Sequence, residues 1–101
     1  MAYYCYIVLC ANGNYYTGWS TDPLRRLRQH NTGKGARYTR VNSPCQLVYV
    51  EEVADHSAAL KREMKIKLLR HTQKSALITD LSRNILPALV APNDDTEQPK
   101  D

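Results

Sequence analysis

Residues 2–10, AYYCYIVLC, are apolar throughout and rich in β-formers. Their length and flanks predict a buried strand. The next four residues, Ala11-Asn12-Gly13-Asn14, contain an Asn-Gly pair, and both residues tolerate the positive φ of a hairpin turn. Tyr15–Trp19 then predicts the return strand. Thr21-Asp22-Pro23 predicts a helix start, because Thr or Asp caps and Pro fits the first turn. That helix runs from Leu24 to about His30 or Asn31, with Leu24 and Leu27 facing inward. Asn31-Thr32-Gly33-Lys34-Gly35 ends it and opens a basic loop. Ala36–Val41 predicts a short helical turn, closed by Asn42-Ser43-Pro44. Cys45–Val53 predicts a third strand, centred on Leu47, Val48, Tyr49 and Val50. Asp55 or Ser57 caps a helix over 57–70, and another follows from Thr72 to about Leu81. The expected fold is α/β (α+β): a small three-stranded antiparallel sheet flanked by helices.

The chain has 101 residues, which suits one small domain. Residues 1–83 form its body. From Asn84 on, three prolines and an acidic end predict an irregular tail over 84–101, which Ile85, Leu86, Leu89 and Val90 are able to dock. The apolar run that contains Tyr6–Cys10 is far short of a membrane span, and no charged segment precedes it as in a signal peptide. The expectation is a cytoplasmic protein with no membrane partner. Cys5, Cys10 and Cys45 form no C-x-x-C pair and read as buried structural thiols; His30, His56 and His71 are too scattered for a His-rich metal site.

Charge changes the picture. Residues 1–83 carry 13 Lys/Arg against 6 Asp/Glu, and residues 84–101 carry a net charge of −3. A basic body therefore bears an acidic tail. Such a body favours polyanions, with nucleic acid first. The equally simple reading is a solvated basic face.

Three local patterns carry candidate chemistry. Tyr6 and Tyr16, ten apart across a hairpin, are able to face one side of the sheet, and Gly18 ends the second strand where the backbone must turn. Arg26 and His30 are four apart and share a helix face, where they can grip a phosphate and reach a nearby oxygen. Arg25 and Arg28 point elsewhere and suit backbone clamps. Glu63 lies on a helical wheel between Leu60 and Met64 on one side and Ala59 and Ile66 on the other. A carboxylate in an apolar face calls for a partner: a divalent metal, or an i,i+4 ion pair with Lys67 worth only about 0.3–0.5 kcal/mol. Taken singly, each pattern has a plain structural reading. Together, two phenols, a guanidinium, an imidazole and a carboxylate on a basic domain suit phosphodiester hydrolysis.

The order and spacing of these residues resemble the GIY-YIG nuclease superfamily. Its first signature element corresponds to Tyr4-Cys5-Tyr6 and its second to Tyr16-Thr17-Gly18. The stretch GWSTDPLRRLRQHNTGKGARYTR is similar to the family's Arg-and-His helix, and Leu-Lys-Arg-Glu at 60–63 to its metal-binding helix. The resemblance spans residues 3–75 and is strongest to small single-domain bacterial members. It implies a metal-dependent endonuclease acting on nucleic acid, DNA ahead of RNA, with branched or damaged structures as in repair or recombination among its substrates. Tyr6 or Tyr16 would activate the water, Arg26 would hold the scissile phosphate, and His30 would move a proton or position the phosphate. Glu63 would be the single protein ligand of Mg²⁺ or Mn²⁺, and Gly18 would keep the wall clear for substrate. Substrate contacts would extend to Trp19, Arg25, Arg28, Lys34, Arg37, Arg40 and Lys67. Family nucleases commonly take specificity from a second domain or a partner protein, so a partner is expected. The alternative is a non-catalytic nucleic-acid-binding or adaptor module.

Overall fold

The computed structural model describes residues 2–33, 39 and 41–90. Strands β1 (Tyr3–Leu9), β2 (Tyr15–Ser20) and β3 (Gln46–Val53) form one antiparallel sheet in the order β2-β1-β3. The described residues contain four helices: α1 (Pro23–Asn31), α2 (His56–Lys67), α3 (His71–Ile78) and α4 (Leu86–Val90). This is the α+β architecture the sequence predicts.

The apolar run in β1 is unbroken because β1 is central and covered on both faces. Cys5, Tyr6, Ile7 and Val8 are all buried. At the hairpin, Gly13 takes φ +86° and donates its N–H to the Cys10 carbonyl at 2.9 Å. On one face, Tyr6, Val8, Cys10, Cys45, Leu47 and Val50 meet Leu27 of α1 and Ile85 and Leu86. On the other, Cys5, Ile7, Tyr49 and Ile66 meet Trp19, Leu77 and Ile78. A bulge resets the alternation of faces along β3. Ile7 pairs with Tyr49 but Val8 with Leu47, so Val48 is the extra residue, and Leu47 and Val50 reach the same face.

Several expectations change. The buried side of α1 is Pro23 and His30, joined by the packed Leu27, whereas Leu24 is exposed. Asp22 is the cap, accepting from the Arg25 N–H at 3.2 Å. Asp55 caps α2, which stops at Lys67 rather than residue 70, since Arg70 is extended and caps α3. The expected irregular tail does not begin at residue 84. Asn84 is buried: its Oδ1 accepts from the N–H groups of Val50 and Leu86, both at 3.1 Å. Its Nδ2 donates to the carbonyls of Val48 at 3.0 Å and Ile78 at 2.9 Å. One amide thus joins β3, the end of α3 and the approach to α4. The acidic residues Asp94, Asp95, Glu97 and Asp101, and the loop residues Lys34, Arg37 and Arg40, lie outside the described residues.

Candidate active site

Side chains of β1 and β2 that point to one face meet α1 there. Tyr6 pairs with Gly18 across the hairpin, and Tyr16 pairs with Val8. The Tyr6 hydroxyl lies 3.0 Å from His30 Nε2, and His30 Nδ1 lies 2.7 Å from Thr39 Oγ1. His30 is fully buried, with both ring nitrogens engaged inside the protein. It therefore does not face a bound phosphate directly, as the shared helix face with Arg26 suggested. Tyr16, half-buried, presents itself edge-on to the His30 ring at a centroid distance of 5.5 Å.

The electrostatics follow from burial. Desolvation raises the Tyr6 pKa above its ordinary value, while a hydrogen bond from Arg26 and the guanidinium charge pull it back. Desolvation, then the Arg26 charge, lowers the His30 pKa. His30 is thus held neutral and able to accept a proton. Arg26 Nη1 also donates to Gln29 Oε1 at 2.7 Å. Arg25 and Arg28 are exposed on the same helix.

Gly18 has a different duty from the one expected. A Cβ there would stand 2.6 Å from the Tyr6 hydroxyl oxygen and 2.7 Å from Cζ. The space it leaves holds the phenol of Tyr6 rather than substrate. The far end of His30 is also braced. Asn31 bonds both backbone groups of Cys45, accepting from its N–H at 2.6 Å and donating to its carbonyl at 2.9 Å. Cys45 Sγ lies 3.5 Å from Cys10 Sγ, and all three cysteines are buried free thiols.

Glu63 stands apart from this group. Leu60 and Met64 are exposed while Ala59 and Ile66 are buried, so Glu63 sits at the border of the α2 contact face rather than within an apolar one. Its carboxylate pairs with Lys67 at 3.5 Å, which engages the lysine expected to hold substrate. The Glu63 charge still reaches Tyr6, as the weakest of the influences on that phenol. The described residues hold no group of three or more His, Cys, Asp or Glu able to cage a metal. A lone carboxylate nonetheless fits Mg²⁺, which keeps several waters and uses one or two carboxylates together with substrate phosphate.

An open cleft of about 560 Å³ adjoins the site, lined by Tyr3, Trp19, Ser20, Thr21, Arg26 and His56. Arg26 belongs both to this cleft and to the surroundings of Tyr6. Sequence reasoning singled out Arg26 and Trp19 but missed Tyr3, Ser20, Thr21, His56 and Thr39. The order Trp19-Ser20-Thr21 before the helix cap was the available signal for two of these. Nothing in the sequence brings His56 to Trp19.

A three-stranded antiparallel sheet that turns Tyr6 and Tyr16 towards an Arg-and-His helix defines a small α+β domain of the GIY-YIG kind. The model of the GIY-YIG catalytic domain matches residues 2–76. The chain belongs to the GIY-YIG family. It is 44% identical over 75 residues to a UPF0213 protein of Halobacterium salinarum, covering 74% of this chain and 97% of that one. It is 45% identical over 78 residues to a UPF0213 protein of Staphylococcus saprophyticus, covering 77% and 95%. A solution structure of an E. faecalis protein superposes with a TM-score of 0.56 at 36% identity, covering 81% of this chain and 88% of the other. No helix among the described residues is long and apolar enough to cross a membrane.

Proposed function

We propose that this chain is a metal-dependent endonuclease that hydrolyses DNA phosphodiester bonds. The observation that carries the reading is the chain Tyr6–His30–Thr39, at 3.0 and 2.7 Å, beside an arginine that opens onto a cleft. A neutral imidazole has one N–H. With that proton on Nδ1 and donated to Thr39, Nε2 accepts the Tyr6 O–H. Arg26 shifts from the phenol to the incoming phosphate and uncovers the Tyr6 hydroxyl. Tyr6 passes its proton to His30 Nε2 and takes one from the attacking water. The departing oxygen leaves on the side opposite Tyr6 and takes its proton from solvent, and the imidazolium returns its proton through Tyr6 to solvent once the product has gone. Tyr16 holds the His30 ring in place from its edge. Glu63 would hold Mg²⁺ or Mn²⁺, whose charge would offset that of the phosphate. Branched or damaged DNA is the substrate class, and a partner protein supplies further specificity.

The test is cleavage of duplex, single-stranded, flapped and four-way DNA, with an RNA control, in Mg²⁺, Mn²⁺ or EDTA. Metal-dependent cuts by the wild type that vanish in Glu63→Ala are the expected result. Salt-sensitive binding without cuts on any substrate would replace this reading with the adaptor module.

A further inference from the structure

We infer that the cleft beside Arg26 is a base-stacking subsite, which receives an unstacked nucleobase of single-stranded nucleic acid next to the phosphate held by Arg26. The inference rests on the nucleic-acid reading of the site and adds the conformation of its substrate. Trp19 and His56 lie with ring centroids 4.7 Å apart, Tyr3 and Trp19 6.0 Å apart, and Tyr3 and His56 5.9 Å apart. The interplanar angles are 60°, 40° and 38°, so none of the three pairs is a parallel stack. Three rings from β1, β2 and the start of α2 thus converge on one opening.

The cleft also supplies what a nucleotide needs besides a ring. Arg26 is its cation, suited to a phosphate oxygen. Ser20 and Thr21 offer hydroxyls that can donate or accept at a base edge or sugar. At about 560 Å³ the volume falls within the ~300–1,000 Å³ range of small-ligand sites. A base within a duplex has both π-faces covered by its neighbours, and only one that has left the stack can meet an aromatic wall. Aromatic stacking is also tolerant of base identity, so the subsite accepts any unstacked base. Single-stranded arms, flaps and ends meet this requirement without the cost of opening a helix.

Trp19 is the only tryptophan in the chain, so its fluorescence reports the cleft. The full-length protein is titrated in EDTA with a thymidine octamer and with an abasic octamer of equal charge. Fluorescence anisotropy of end-labelled copies measures binding in parallel. Quenching of Trp19 by the thymidine octamer, none by the abasic one, and about five- to a hundredfold tighter binding of the former are expected. His56→Ala, at an exposed position, is expected to remove most of that affinity difference while leaving abasic binding within about twofold. Equal binding of the two octamers without base-dependent quenching would overturn the stacking subsite and leave the nuclease reading standing. Binding of neither octamer at low salt would overturn the subsite, and binding of neither octamer nor duplex nor four-way DNA would overturn the nuclease reading as well.

Discussion

Two tyrosines are fully buried on opposite faces of the sheet, Tyr6 and Tyr49, and their partners set them apart. Burial raises the pKa of both. Tyr49 donates to a carboxylate oxygen of Glu51, whose other oxygen takes a 2.8 Å bond from Arg62 Nε. A phenol hydrogen-bonded to an anion is locked in its neutral form, and the Glu51 hydrogen bond and charge add to desolvation here. Tyr6 instead faces a neutral imidazole, with a guanidinium pulling its pKa down. Burial alone therefore does not make a tyrosine reactive. The same ring is a structural donor beside Glu51 and, in the proposed mechanism, a proton carrier beside His30.

The comparison fails or sharpens on four measurements. Tyr6→Phe is expected to cut the cleavage rate at least ~100-fold, within the range of lost acid–base catalysts. Tyr49→Phe is expected to leave the rate within about twofold and to cost about 1–2 kcal/mol of stability in urea unfolding. Equal losses of rate in the two variants would erase the distinction. Next comes Gly18→Ala, whose Cβ would collide with the Tyr6 hydroxyl. Urea unfolding should show a loss of roughly 1–3 kcal/mol, and the cleavage assay a loss of about tenfold.

The pH dependence is third. The His30 pKa is depressed, so the folded state favours the neutral ring, and its stabilising contribution is complete above the unfolded value of about 6.5. It is lost as pH falls from there through the folded pKa, and the rate declines with it. A pH series of thermal melts should show His30→Gln flattening the decline below pH 6.5. The smallest effect has the opposite sign. The Thr17 hydroxyl, on the Tyr49 side, is buried without a partner among the described residues. Thr17→Val should therefore raise stability by about 1 kcal/mol in urea, with the cleavage rate unchanged.

Much of this was legible in the chain because it is local. The Asn12-Gly13 turn, the Asp22-Pro23 helix start and the continuous apolar run of β1 each depend on neighbouring residues. Tyr6, Tyr16, Arg26 and His30 stand out by spacing only once the family resemblance gives them roles, and the structure brings those four together. What the pattern hid are partnerships across long stretches of chain. Gly18 matters because of where the ring of Tyr6 lies, which no hydropathy pattern records. Thr39 anchors His30 from a different segment, and Asn84 bonds Val48 and Val50 from beyond the expected body. Glu63 looks embedded in an apolar face on a helical wheel, which does not show which half meets the sheet.

The central place of β1 has a consequence for biosynthesis. β1 leaves the ribosome before both strands that flank it, and its second edge stays open until residues 46–53 follow. At about 5–20 residues per second that wait lasts roughly 2–9 s. A lone hairpin is at best marginally stable in water, so the apolar strand spends that interval half-paired. The nascent chain already carries Tyr6, Tyr16, Arg26 and His30 by then, but it lacks β3 to close the layer beneath them. Translation of residues 31–53 is therefore the stage during which the apolar strand is most exposed to pairing with another chain instead of with β3.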